Sequence, residues 1–459
     1  MIGYALSFVR SIILARMLTK ADYGMAAAFA TSVSMLELAG RFGLGQLLIQ
    51  SRRGNSASFM ASLHAVQLLS GLVSSLLVLA LCRPMAVLFH VPGATWAFAL
   101  LAVIPILSAS GHLDNSRVQR KLRFEPAALA ELIPQTLVTL AAWPLTYWLR
   151  DYRSILVLVI GKAAISCAVT HVLAKRTYRL RWNRRWTSEV SVWAWPLLAS
   201  SIVVFASGQA NQIIIGSAYS VSRLAGYAIA SGLVNIPWFI LSSVGTSLVL
   251  PILARSVLNK ELFEKKLLML LGGHAVAGVL LLAGFAIFGE NVIVLLYGHA
   301  YRGSGIYVTI LGAGVAVRLL GIVTTLAALA WGDTTNELFS NIWTCVTLPI
   351  SLLAVVFGLG PQGVAVSVSI GEFVGLIASF WRLRRIVKFS LRTMATTAAY
   401  FFCFAILLIV VSLAGIDRAG LVIQMASCAV VGLVAVAVGR MLFPLLENMA
   451  AVNNLLHEE

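Results

Sequence analysis

Seven ionisable side chains stand inside long apolar runs of this chain: Arg10, Glu37, Arg41, Glu131, Lys162, Arg318 and Glu372. A charge at the centre of a bilayer costs ~2.5–3.5 kcal/mol on insertion scales, so such groups normally face a bundle interior or a wet cavity. Arginine suits phosphate oxygens, because its planar fork binds them bidentately and keeps its charge when poorly hydrated. Arg10, Arg41 and Arg318 therefore read as cavity-lining groups for an anionic ligand, with Arg16 nearer a helix end. The run Ser207-Gly208-Gln209-Ala210-Asn211-Gln212 adds amides and a hydroxyl, the paired donors and acceptors that sugar hydroxyls need. Asn235, beside Pro237 and Trp238, marks an expected helix interruption of the kind that points to a binding site or hinge. The remaining charges read as conformational ion pairs. Glu37 precedes Arg41 by one helical turn, Glu131 adjoins a basic loop, and Lys162 and Glu372 hold nearby positions in the two halves of the chain, where they could pair with each other. Blander readings stay open beside these. Each charge could be neutralised locally, Arg16 could snorkel to the interface, and amides can simply glue helices at ~0.6–2 kcal/mol per contact.

Other chemistries find little support. No Walker, HExxH, Cys-x-x-Cys or GxSxG motif occurs in a suitable setting, so no catalytic residue, metal site or cofactor is expected. Cys82, Cys167, Cys345, Cys403 and Cys428 lie in or beside apolar runs with neither metal-site nor disulfide spacing.

The elements that must position these groups are membrane spans. The chain is 60% hydrophobic and only 11% charged, against roughly 25% charged in soluble domains. Apolar runs broken by charge, Gly or Pro give fourteen candidate helices: 2–18, 24–48, 59–81, 94–112, 126–148, 154–174, 192–219, 224–253, 267–297, 304–331, 338–358, 362–381, 394–414 and 420–446. No cleavable signal is evident, so the first span is expected to remain as an anchor. The net charge of +17 follows from topology rather than nucleic-acid binding: 21 Lys and Arg fall in alternate loops and only 7 in the intervening ones. Basic residues collect on the cytoplasmic side, which places both termini there. The basic stretch from Lys175 to Arg185, interleaved with Tyr178 and Trp182, reads as an interfacial anchor with an attraction for anionic headgroups.

The chain also repeats itself. Tyr23-Gly24 recurs as Gly226-Tyr227, Leu88-Phe89-His90 as Leu296-Tyr297-Gly298, and Ile160-Gly161-Lys162 as Ile370-Gly371-Glu372, some 204 to 210 residues later. Six spans per repeat bring both halves into the membrane in the same sense, with a cavity expected between them. The expectation is an all-α polytopic membrane protein: a six-helix bundle over 1–190, a pseudo-symmetric second bundle over 191–390, and two additional helices with a short tail over 391–459.

Several stretches resemble the polysaccharide exporters, or Wzx-type flippases, of the multidrug/oligosaccharidyl-lipid/polysaccharide (MOP) exporter superfamily. Ala15-Arg16-Met17-Leu18-Thr19-Lys20-Ala21-Asp22-Tyr23-Gly24 looks like that family's entry into the second helix, and Phe42-Gly43-Leu44-Gly45 with Leu48-Ile49-Gln50 like its exit. Gln119-Arg120-Lys121-Leu122-Arg123-Phe124 with Leu129-Ala130-Glu131-Leu132, Ile213-Ile214-Ile215-Gly216 before Gly226-Tyr227, and Leu295-Leu296-Tyr297-Gly298 before Tyr301 follow in the family's order. The family often carries an acidic residue just before the Ile-Ile-Gly stretch, where this chain has Asn211-Gln212. The resemblance implies a non-enzymatic flippase in the bacterial inner membrane. It would move an undecaprenyl-diphosphate-linked oligosaccharide between leaflets by alternating access, surrounded by membrane lipids, with a polysaccharide polymerase and chain-length regulator as possible partners in the same pathway implied by the resemblance. A cation-coupled efflux transporter of the same superfamily is the first alternative, disfavoured by the cationic interior. A membrane-bound polymerase or glycosyltransferase is the second, disfavoured by the short loops.

Overall fold

The computed structural model describes residues 2–37, 44–51 and 53–387. Arg41, Cys403, Cys428, the two final expected spans and the expected third domain lie outside the described residues, and so does the side chain of Glu37. Every regular element among the described residues is a helix. In order these are α1 (Ile2–Met17), α2 (Lys20–Glu37), α3 (Leu44–Gln50), α4 (Ala57–Leu88), α5 (Thr95–Leu100), α6 (Val103–Ala109), α7 (Asp114–Gln119), α8 (Glu125–Leu149) and α9 (Arg153–Val172). There follow α10 (Arg184–Gly208), α11 (Ala210–Ala218), α12 (Val221–Ala254), α13 (Lys260–Tyr297), α14 (Gly305–Ala330), α15 (Asn336–Thr344), α16 (Thr347–Val356) and α17 (Gly360–Ile386). Nine stretches among the described residues are long and apolar enough to cross a membrane. The chain is an all-α, multi-pass membrane protein.

Helix continuity departs from expectation in both directions. Three expected spans are broken: 94–112 between α5 and α6, 192–219 at Gln209, and 338–358 between α15 and α16. The expected interruption at Asn235–Trp238 is not a break, because α12 runs through Pro237 and Pro251. Proline removes one backbone hydrogen bond, and a long membrane helix tolerates that when neighbouring groups satisfy the freed carbonyl.

The chain divides into two compact units, Met1–Ala228 and the remainder from Ile229. This boundary lies later than the expected 190/191 because the next elements pack onto α2 and α4. Thr31 donates to Gln212 at 3.1 Å, and any side chain on Gly24 or Gly216 would collide with Val221 or Phe89. In the first unit, Leu14 and Leu18 of α1 pack with Val138 and Ala142 of α8 and with Ile155 and Leu158 of α9. Phe29 meets Phe98 edge-on at 5.0 Å.

The second unit is built on α14, whose side chains are nearly all buried against α13 and α17. Lipid tails are as apolar as leucine, so helices associate through close packing and hydrogen bonds rather than through a hydrophobic drive. Here α17 shows both. Ser369 donates to the Ile310 carbonyl at 2.7 Å. On its other side, a Cβ on Gly371 would stand 2.8 Å from the Thr344 carbonyl, and one on Gly375 would strike the Thr344 hydroxyl. Ser340 donates to the Gly375 carbonyl at 2.8 Å, and Ser379 to Asn336 Oδ1 at 2.6 Å.

Aspartates tie off one end of each unit. Asp114 takes Arg117 bidentately, at 2.5 and 3.0 Å, and also accepts the Lys175 amide at 2.9 Å. Burial alone would raise its pKa, but these hydrogen bonds and the guanidinium charge together hold it below the usual carboxylate range. Asp333 pairs with Arg382 at 2.7 and 3.1 Å and accepts the Thr335 amide at 3.0 Å. The Arg382 hydrogen bond foremost lowers Asp333 to about 2.

Beside Asp114, two neutral imidazoles fasten the segment that follows α9. His112 accepts the Asp114 amide on Nδ1 at 3.0 Å and donates from Nε2 to the Arg176 carbonyl at 2.9 Å. His64 accepts the Leu113 amide on Nε2 at 3.2 Å and donates from Nδ1 to the Arg179 carbonyl at 3.3 Å. A carbonyl can only accept and an amide N–H only donate, so each ring must be neutral with a fixed tautomer. Arg176 and Arg181, expected as headgroup anchors, use their guanidinium groups on Asn55 and Ser58.

Two outcomes are expected. Burial lowers the pKa of His112 below its ordinary value, so the native state binds fewer protons than the unfolded chain. This contribution is complete above the unfolded value near 6.5 and is lost as pH falls below it. The melting temperature of the purified protein should drop by a few degrees between pH 7 and pH 5. A His64→Gln/His112→Gln variant should melt lower at pH 7 with a flatter profile, and an unchanged slope would refute the latch. Separately, Gly371→Leu should destabilise the protein by at least the ~1–3 kcal/mol typical of overpacking, measured by denaturant unfolding in detergent, because the obstructing atom is backbone.

Candidate functional site

In the second unit, Arg318 is the fourteenth residue of the 26-residue α14 and Glu372 the thirteenth of the 27-residue α17. Both therefore stand near mid-depth. Arg318 Nε lies 3.9 Å from Glu372 Oε1, beyond hydrogen-bonding distance. The guanidinium carbon sits 4.3 Å from the centroid of the Trp238 ring on α12, a cation–π geometry that orients the fork without occupying a donor. The Arg318 side chain remains 43% exposed, against 20% for Glu372. The close approach of Gly371 and Gly375 to α15 sets the rotation of α17, and Ser369 fixes it against α14. Those contacts direct Glu372 toward Arg318.

In the first unit, Glu131 of α8 pairs with Lys162 of α9 at 3.8 Å. One turn along α8, Gln135 donates to Ser7 of α1 at 2.8 Å, while its carbonyl oxygen is buried without a hydrogen-bond partner among the described residues. Thr139, one turn further, donates to the Leu6 carbonyl at 3.3 Å. Arg10 follows Ser7 by one turn of α1 and is partly buried, with Tyr23 of α2 within electrostatic reach. Arg16 is exposed at the end of α1.

Lys162 and Glu372, for which both mutual pairing and local neutralisation were open, each have a partner inside their own unit. Arg318, expected to line a cavity, meets a carboxylate 54 positions later in sequence. The amides are divided. Gln209 Oε1 accepts from Gln212 at 2.8 Å, and Gln212 Oε1 accepts from Thr31 at 3.1 Å, at the break between α10 and α11. Asn211 is 1% exposed, packed within the first unit. Asn235 donates to Ser231 at 3.3 Å within α12. Sequence reasoning did not single out Ser7, Thr31 or Gln135, nor Trp238 as a cation partner. Gln135 carried a usable signal, since it stands one helical turn from Glu131. Trp238 carried none, since its meeting with Arg318 depends on how α12 packs on α14.

Comparison with known proteins agrees with this architecture. The structure superposes on the lipid II flippase MurJ in an inward closed conformation with a TM-score of 0.69, at 13% identity, covering 96% of this chain and 97% of that one. An inward-facing multidrug resistance MATE family transporter of the MOP superfamily gives 0.65 at 16% identity, covering 86% and 95%. The fold is that of MOP transporters, and the relatives and structural neighbours are transporters rather than enzymes. The succinoglycan biosynthesis transport protein ExoT of Rhizobium meliloti (strain 1021) is 21% identical over 377 residues, 76% of each chain. Residues 13–305 match the polysaccharide biosynthesis protein family, and the chain belongs to that family.

Proposed function

We propose that the protein is a flippase that carries a polyprenyl-diphosphate-linked oligosaccharide from the cytoplasmic to the outer leaflet of a bacterial inner membrane. Both termini lie in the cytoplasm in this reading, which the distribution of basic loops supports. The observation that carries it is Arg318: a half-exposed guanidinium at mid-membrane depth, steadied by an indole face and not hydrogen-bonded to its nearest carboxylate. A diphosphate is the ligand whose geometry matches that fork. Arg10 in the first unit supplies a second cation at the depth such a headgroup must cross. Membership of a polysaccharide biosynthesis family and likeness to ExoT support a saccharide cargo over a cationic drug.

Alternating access then follows from cost. The lipid tail can stay in the bilayer throughout, whereas the charged diphosphate and its sugars need protein partners at every depth. Polysaccharide polymerase and chain-length regulator are the partners this role calls for on the far side.

The test is leaflet-resolved labelling of lipid-linked oligosaccharide in a host deleted for the gene. Complete units should accumulate on the cytoplasmic face and be cleared by the wild-type protein. Arg10→Ala and Arg318→Ala should each slow clearance about 10- to 100-fold, equivalent to losing a charged hydrogen bond of ~1.5–3 kcal/mol. If single units instead reach the outer face and stay unpolymerised, the polymerisation reading replaces this one.

A further inference from the structure

Arg318 already has an anion beside it. The mid-span position puts the Arg318–Glu372 pair about 20 Å from either helix end at 1.5 Å per residue, where net charge is strongly disfavoured. The carboxylate is held in place, because Gly371 and Gly375 leave α17 no room to shift toward α15 and Ser369 fixes it to α14. Trp238 holds the guanidinium from another direction. Thr344, Thr347 and Ser340 of the elements packed behind α17 offer hydroxyls and no charge. His274 of α13 lies against Gly245, near Ile322 one turn beyond Arg318, and donates from Nδ1 to the Leu270 carbonyl. Among the described residues, Arg318 is the charged group that faces Glu372.

We propose that Glu372 is an internal competitor for the phosphate at Arg318, and that taking up a proton on Glu372 hands the guanidinium to the diphosphate. This rests on the flippase reading for the identity of the anion. Four states need be compared. Arginine with ionised Glu372 is balanced, and so is arginine with protonated Glu372 and one ionised phosphate group, the diphosphate's remaining charge staying with water or counterions. Arginine with both anions carries excess negative charge, and arginine with neither is an unpaired cation. The two unbalanced states are the costly ones at this depth, so proton and anion bind together and leave together. No bond to carbon forms or breaks. The proton enters the Glu372 carboxylate as phosphate arrives and departs when Glu372 returns to Arg318. Linkage makes the effect reciprocal: whatever factor a proton adds to anion affinity, the anion adds to proton affinity.

The experiment uses the full chain in lipid nanodiscs, with farnesyl diphosphate as probe, farnesol as neutral control, and calorimetric titration from pH 6 to pH 8.5. Wild type should bind the diphosphate more tightly as pH falls, approaching tenfold per pH unit where Glu372 titrates. Glu372→Gln should bind tightly with only the slope of the ligand's own titration, which both proteins share. Glu372→Asp should keep the wild-type slope, and Arg318→Gln should lose binding while melting at a temperature near wild type. Binding in which Glu372→Gln matches wild type in both affinity and slope would overturn the competitor while leaving the flippase reading intact. Failure of every form to bind the diphosphate above the farnesol background would overturn both. If the variants behave as expected but deleted cells still present lipid-linked units on the outer face, the site stands and the flippase reading falls.

Discussion

In hydrocarbon there is no water to complete a hydrogen bond or surround a charge, and that constraint shapes the described part of this protein. Backbone groups are satisfied by making every regular element a helix. Side-chain charges at depth are met inside the same unit: Lys162 by Glu131, and Arg318 by Glu372 and Trp238. These contacts are long, at 3.8 and 3.9 Å, whereas the loop aspartates hold their arginines at 2.5 to 3.1 Å. The tight pairs therefore sit where the helices are tied together, and the loose ones where a ligand could compete.

The same constraint explains why glycine and hydroxyl residues matter more here than large apolar ones. With no hydrophobic gain from pairing helices in lipid, α17 is located by the closeness that Gly371 and Gly375 allow and by the hydroxyls of Ser340, Ser369 and Ser379. Glu372 lies between the two glycines in sequence, so the packing face and the functional face of α17 are set by one stretch of five residues. A substitution intended to probe packing there will also rotate the carboxylate.

Much of the fold was open to sequence reasoning, because apolar length and charge interruption respond directly to the thickness of a bilayer. What escaped it was local continuity. A polar residue at Gln209 stops one helix and starts another, while Pro237, a stronger signal on paper, lies inside an unbroken one. The charged groups show the same division. The run of hydropathy alone marks Arg318 as a residue that needs a partner. That the partner of Arg318 is Glu372 depends on α14 and α17 packing side by side, a relation no periodicity records. Asn211 shows the same dependence: an amide in a polar run suggests a ligand contact, and only packing places it at 1% exposure.

The two units also differ in a way that bears on how such a protein could be driven. At equivalent places in the repeat, the first carries Lys162 and the second Glu372. Each has acquired an opposite charge from a different neighbour, Glu131 on α8 for the one and Arg318 on α14 for the other. In the first unit the acid is the more exposed member of its pair, and in the second the arginine is. The more exposed charge is thus a carboxylate in the Glu131–Lys162 pair and a guanidinium in the Arg318–Glu372 pair. A lysine at one position of the sequence repeat and a glutamate at the other are enough to make the two pairs electrostatically unequal.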